Sequence, residues 1–100
     1  MRIRLRSDGA IANVYYVYWG GDRTYFAGFL PDEEGLIAFD SKEADVIERN
    51  LGADWVYFVG AYGKPGFIHP YLLEDKLLDS LFEYDSEAYR RLVERLGKAP

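Results

Sequence analysis

Three carboxylates stand four residues apart at Asp75, Asp79 and Glu83. On an α-helix that spacing sets them in one stripe, where like charges destabilise by about 0.2–0.5 kcal/mol per pair. Such a stripe is expected either to be relieved by a nearby arginine or to dock a basic partner, with Glu74, Asp85 and Glu87 beside it. The single histidine, His69, sits in GFIHPY. An imidazole can act as a general base, so a small hydrolase built on His69 and a carboxylate is one reading. No GxSxG elbow accompanies it, and the residue reads as a loop position ahead of a helix. The chain has no cysteine, hence no thiol nucleophile, disulfide or thiolate metal site. GAYGKP has its glycines too close for a phosphate loop, and Pro65 stands where Ser or Thr would hold magnesium. It reads as a turn. Asp32–Glu34 offers oxygens to a hard cation but lacks the spaced ligands of a calcium loop. No spacing selects two carboxylates as a glycosidase pair. The chemistry-bearing residues therefore point to a non-enzymatic protein with no catalytic residue, no metal site and no cofactor.

The second concentration of informative residues is NVYYVYWGGDRTYFAGF, Asn13 to Phe29, in which seven of seventeen residues are aromatic. Strict alternation over the strand Ile11 to Trp19 gives one face of Ile11, Asn13, Tyr15, Val17 and Trp19. The other is Ala12, Val14, Tyr16 and Tyr18. Trp55 to Ala61 splits likewise into Trp55, Tyr57, Val59, Ala61 and Val56, Phe58, Gly60. An antiparallel sheet with one wet face alternates apolar with polar, and these strands do not. Three arrangements answer that: helices on both faces or a sheet curled on itself; tyrosines lying flat with hydroxyls in water; or an interface. Nine tyrosines against six phenylalanines favour the last two, because tyrosine brings rigid area and a polar tip. Part of the set Tyr15, Tyr16, Tyr18, Trp19, Trp55 and Tyr57 is expected to stay accessible, with Tyr15, Tyr18 and Trp19 as contact residues.

The elements that must position these residues follow from periodicity. RIRLR alternates as a strand, and SDG turns it. Ile11–Trp19 and Arg23–Leu30 form a hairpin about GGD. PDEEG is a turn, and Leu36–Phe39 a short fourth strand. Asp40 and Glu43 resemble a capping box, with Ala44, Ile47 and Leu51 at helical spacing and Gly52 as a stop. Trp55–Ala61 is a fifth strand ended by YGKPG. Pro70 opens a second helix reaching about Tyr84, with Leu73, Leu77 and Leu81 inward. Asp85 or Ser86 caps a third, with Leu92, Val93 and Leu96 inward and Gly97 at its end; Glu87–Arg91 and Arg90–Glu94 pair along it. The order βββ-β-α-β-α-α predicts one α+β domain over residues 1–100, a mostly antiparallel sheet of about five strands with three helices.

Net charge is −5. Residues 1–31 carry four basic and two acidic side chains, a sum of +2; residues 32–87 carry four basic and fourteen acidic, −10; residues 88–100 carry four basic and one acidic, +3. A field of that sign repels nucleic acid and anionic membrane and attracts basic partners. Sheet proteins that stack bases on aromatics pair them with lysine and arginine, so no direct DNA or RNA binding is expected. No continuous apolar run follows the N-terminal arginines, and none is long enough to span a membrane; a soluble, cytoplasmic protein is expected. In size and charge alone the chain resembles small phage-encoded inhibitors such as anti-CRISPR proteins, and toxin-neutralising immunity proteins. The resemblance implies an inhibitor of a basic, nucleic-acid-binding protein, some of these inhibitors mimicking phosphates with carboxylates. It carries no site residues. The alternative from another class is a homodimeric structural or accessory module that associates through an aromatic sheet face.

Overall fold

A computed structural model describes residues 1–52, 54–60 and 63–100. Seven strands and two α-helices form an α+β fold: β1 (Arg2–Leu5), β2 (Ile11–Gly20), β3 (Arg23–Phe29), β4 (Ile37–Asp40), β5 (Ala44–Glu48), β6 (Val56–Val59), β7 (Pro65–Ile68), α1 (Leu77–Phe82) and α2 (Ser86–Leu96). Every strand pairing among the described residues is antiparallel. The sheet runs β4-β3-β2-β1-β5, and β7 joins β2 with β6 beyond it. The hairpin of β2 and β3 closes over Gly21 and Asp22, where Gly21 takes a φ of 64° that its missing Cβ makes cheap.

β2 organises the sheet. One edge pairs with β3 from Asn13 to Gly20. The other takes β1 opposite Ile11–Asn13 and β7 opposite Tyr16–Tyr18. Between those halves Tyr15 is an extra residue, a β-bulge between the pairs Val14–Gly28 and Tyr16–Ala27. The bulge overturns strict alternation. Val14 and Val17 pack in one core cluster with Ala12, whereas Tyr16 packs in the other, with Tyr15 and Tyr18 against it.

The first cluster lies under the helical elements and joins Tyr16, Ala27, Phe29 and Ile68 to Leu72, Leu77, Leu81 and Leu92. The second joins Ile3, Leu5, Ala12, Val14, Val17, Phe26, Phe39 and Ala44, with Leu51 and Trp55 packed against it. Among the described residues no helix contributes to it, so the sheet curves around its own apolar side. Both strand faces read as apolar because one is under helices and the other inside the curl.

Two of the three expected helices are corrected. Asp40 does cap, its carboxylate accepting from the Lys42 N–H at 2.9 Å, but the helix is a single 3-10 turn, Ser41–Glu43. The chain then extends as β5, since Val46 and Ile47 are β-branched and the strand is held across β1 by Arg2–Glu48 at 2.9 Å and Arg6–Asp45 at 2.8 Å. The second helix is split. Pro70–Lys76 is a 3-10 segment, Asp75 and Lys76 take left-handed φ values of 50° and 58°, and only Leu77–Phe82 is α-helical. Leu77 and Leu81 are buried as expected, while Leu73 is exposed. The last helix agrees with expectation: the Asp85 carboxylate accepts from Glu87 and Ala88 N–H groups, and Gly97 ends it at φ 74°. Strand β7 was not anticipated, and the fifth expected strand is β6, without Trp55. Ala61 of that strand and Tyr62 of the YGKPG turn lie outside the described residues.

β7 approaches β2 so closely that residue 66 must be glycine. A Cβ there would press on the Val17 carbonyl oxygen and lie 2.9 Å from Tyr18 Cα. Gly66→Ala is expected to lower stability by about 1–3 kcal/mol, the usual cost of overpacking. For a domain of this size each kcal/mol lowers the thermal midpoint by about 4–8 °C. An unchanged midpoint in a thermal melt would show that β7 does not dock in this way.

Candidate binding surfaces

The bulge sends the aromatic residues of β2 to two sides. On the curled side, beyond Val17, Trp19 meets Phe67 of β7 edge to face with centroids 5.9 Å apart. Phe67 meets Tyr57 of β6 at 5.8 Å in the same manner. These side chains are open to solvent: Tyr57 is 63% exposed, Val59 52%, Phe67 38% and Trp19 36%. Val59 follows Tyr57 at the two-residue period and shares its face. The expectation that part of the aromatic set stays accessible is met by Tyr57 and Trp19; Tyr16 is buried.

On the helical side Tyr16, Tyr18 and Tyr25 stack in a ladder, with centroids 4.7 and 5.1 Å apart and rings within about 25° of parallel. β6 adds Phe58, which meets Tyr16 at 6.0 Å. A groove of about 470 Å³ opens between Tyr16, Tyr18 and Phe58 on the sheet and Leu72, Leu78 and Phe82 of the helical elements. Its charged lining is Lys64, Lys76 and Asp79. Burial, aided by the neighbouring tyrosine, raises the hydroxyls of Tyr16 and Tyr18 above their ordinary range, so both remain protonated hydrogen-bond donors at neutral pH.

The carboxylates are not gathered into a stripe. The left-handed pair Asp75–Lys76 interrupts the helix that would have aligned them. Glu74 pairs with Arg95 of α2 at 2.9 Å, and Asp75 approaches Arg91 at 4.0 Å. Asp79 lines the groove, and Glu83 follows the end of α1. The turn Asp32–Glu34 instead meets the end of α1: the Leu36 N–H donates to the Leu81 carbonyl at 3.0 Å, Gly35 lies against the Tyr84 ring, and Glu33 faces the Tyr84 hydroxyl. Among the described residues Asp32, Glu33, Glu34 and Glu83 form no ion pair. No three His, Asp or Glu side chains among the described residues gather closely enough to hold a metal ion.

Tyr15 lies apart from both aromatic surfaces. It packs edge-on against Phe29 at 5.5 Å and beside His69 at 5.3 Å, at a second hollow of about 450 Å³ that also includes Asn13 and Trp55. Its carbonyl accepts the His69 N–H at 2.9 Å. The His69 ring is used structurally: Nδ1 accepts from the Tyr71 N–H at 3.2 Å and caps the 3-10 segment. That acceptor role requires neutral imidazole with its proton on Nε2. Burial lowers His69 from its ordinary 6.5, against the opposing pull of Asp54 and Glu74.

Tyr15, Tyr18 and Trp19, all expected as contact residues, thus occupy three separate places. The residues that sequence reasoning missed are Phe67, Lys64 and Lys76. For Phe67 a signal existed, since GFI alternates small, exposed and buried positions once Pro65–Ile68 is read as a strand. Comparison of the chain with family models, with curated proteins and with solved structures found no match. Among the described residues no helix is long and apolar enough to cross a membrane.

The cap gives a pH dependence with a defined sign. Folded His69 binds its proton more weakly than unfolded His69, so its contribution to stability is complete above pH 6.5 and is lost as pH falls through the depressed folded value. His69→Asn keeps a capping acceptor and removes the titration. The difference in melting temperature between variant and wild type should be constant above about pH 7 and shift in the variant's favour on acidification. Parallel curves down to pH 5 would remove His69 from the account.

Proposed function

We propose that this protein is a small acidic, non-enzymatic binding module that docks on a basic protein through the face of Trp19, Tyr57, Val59 and Phe67. The observation that carries the reading is that face: two edge-to-face aromatic contacts hold a rigid apolar surface in water. Contiguous exposed apolar surface marks contact sites, and Trp and Tyr supply the centres of such contacts. Net charge sets the sign of the partner. Six of the eight arginines already form intramolecular ion pairs, while Asp32, Glu33, Glu34 and Glu83 are exposed and form none among the described residues. Such charges speed association with a positive surface and repel a negative one. A nucleic-acid-binding protein is the class of target this favours, and occupying it is an inhibitory role, as in the phage-encoded inhibitors and immunity proteins that the chain resembles in size and charge.

A second reading, self-association, is favoured by β6 itself. Its sequence VYFV has no charge, and among the described residues it pairs only with β7. The other edge strands are blunted, β4 by Asp40 and β5 by Asp45 and Glu48. An uncharged free edge is a template for another strand.

One pair of substitutions separates these readings. Tyr57 and Val59 are both more than half exposed, so Tyr57→Lys with Val59→Lys should leave the melting temperature within a few degrees of wild type. Sedimentation of the wild type as a monomer, with a basic protein that co-purifies from its own cells and is lost in the variant, is the expected result. A wild-type dimer that the variant splits assigns the face to a second copy. If the variant retains every complex of the wild type, the face is not the contact.

A further inference from the structure

We propose that the groove between the tyrosine ladder and the segment preceding α1 binds an amphipathic carboxylate, a molecule with an apolar body and one anionic head. The site lies on the opposite side of the sheet from the docking face and does not depend on that reading. Its volume of about 470 Å³ falls in the range of small-molecule sites, about 300–1,000 Å³, and its make-up follows their pattern of apolar walls with a few polar groups. The Tyr16–Tyr18 stack forms a flat wall, and Phe58, Leu72, Leu78 and Phe82 supply the rest of the apolar surface. Nothing in this lining discriminates among apolar bodies. The charges do.

Two of the four lysines in the chain, Lys64 and Lys76, line this one groove. Neither forms an ion pair among the described residues, in a protein where six of eight arginines do. Lys64 places its ammonium 5.9 Å from the Tyr25 ring centroid, at the outer limit of a cation–π contact. Lys76 is placed by strain. It and Asp75 are consecutive residues in the left-handed region, a conformation that aspartate tolerates and that the Cβ of lysine disfavours. The break sends the Asp75 carboxylate toward Arg91 and leaves Lys76 in the groove lining. Such strain concentrates at ligand sites. Tyr16 and Tyr18 belong to the same lining, and a protonated tyrosine hydroxyl can donate to an anion. Among the described residues Asp79 is the one carboxylate of the lining, and it lies beyond ion-pair distance of both lysines. Two cations against one anion suit a singly charged head and disfavour a polyphosphate.

Three ligands of one chain length test this on the intact protein: decanoate, decanol and decylamine, each titrated calorimetrically below its aggregation concentration. Decanoate is expected to bind about tenfold more tightly than decanol, the factor that 1.4 kcal/mol represents, and decylamine most weakly. Lys64→Met with Lys76→Met should bring decanoate to the affinity of decanol while leaving decanol unchanged. In two-dimensional NMR, shifts should centre on Tyr18, Phe58 and Phe82, and decanoate binding should survive Tyr57→Lys with Val59→Lys. Equal affinities for the three ligands in the wild type, no binding of decanoate, or shifts confined to Trp19, Tyr57 and Phe67 would each overturn the assignment.

Discussion

The extra residue at Tyr15 in β2 is the constraint on which both aromatic surfaces depend. Without it, Val17 and Trp19 would share a face with Asn13, and Tyr16 and Tyr18 would share one with Ala12 and Val14. The bulge exchanges those assignments midway along the strand. It also coincides with the point where the second edge of β2 passes from β1 to β7. A bulge increases local twist and bends its strand, so one device both directs the side chains and opens the sheet into two arms. The β1–β5 arm, with β2, β3 and β4, closes around Val14 and Phe26. The β7–β6 arm carries Phe67 and Tyr57 past the end of that closure.

Exposure of the aromatic face then follows from layer geometry. Elements bury an apolar surface only against another layer. α1, α2 and the 3-10 segment lie over the side that carries Tyr16 and Ile68. The curl serves the other side only as far as Val17. Beyond it no described element remains to cover Trp19, Phe67 and Tyr57, and their rings pack on one another instead. The edge-to-face contacts among them are worth about 0.5–1.5 kcal/mol each, which holds the rings in one arrangement on the surface.

Much of the fold was legible in the sequence, and its failures have physical causes. The hairpin about Gly21–Asp22 and the helix from Asp85 to Gly97 are specified by local chemistry: a left-handed glycine, a carboxylate on free N–H groups, a glycine stop. Residues 40–52 mislead because the cap is real and the helix is not. The Asp40 carboxylate satisfies a single turn, after which pairing with β1 outweighs helical spacing in a segment with adjacent β-branched residues. β7 was hidden by Pro65 and Gly66, which normally count against a strand; here glycine is what the close approach to β2 demands. The candidate site was legible in composition but not in arrangement. Tyrosine enrichment announced accessible aromatics, yet a bulge leaves no local signature strong enough to sort Tyr15, Tyr18 and Trp19 among three places.

The carboxylate spacing at Asp75, Asp79 and Glu83 shows how one backbone event recasts an electrostatic argument. A continuous helix would have placed three unrelieved charges together. Two left-handed residues at Asp75 and Lys76 end the register before Asp79 is reached. The first carboxylates turn to the arginines of α2, Glu74 to Arg95 and Asp75 to Arg91. Both pairs are well exposed, and such pairs contribute little to stability, about 0–1 kcal/mol, so they do not by themselves repay the strain. What the break changes durably is placement. Asp75 and Lys76, adjacent in the chain, serve different surfaces, and the groove gains a cation from a segment whose other charges at residues 74 and 75 are negative.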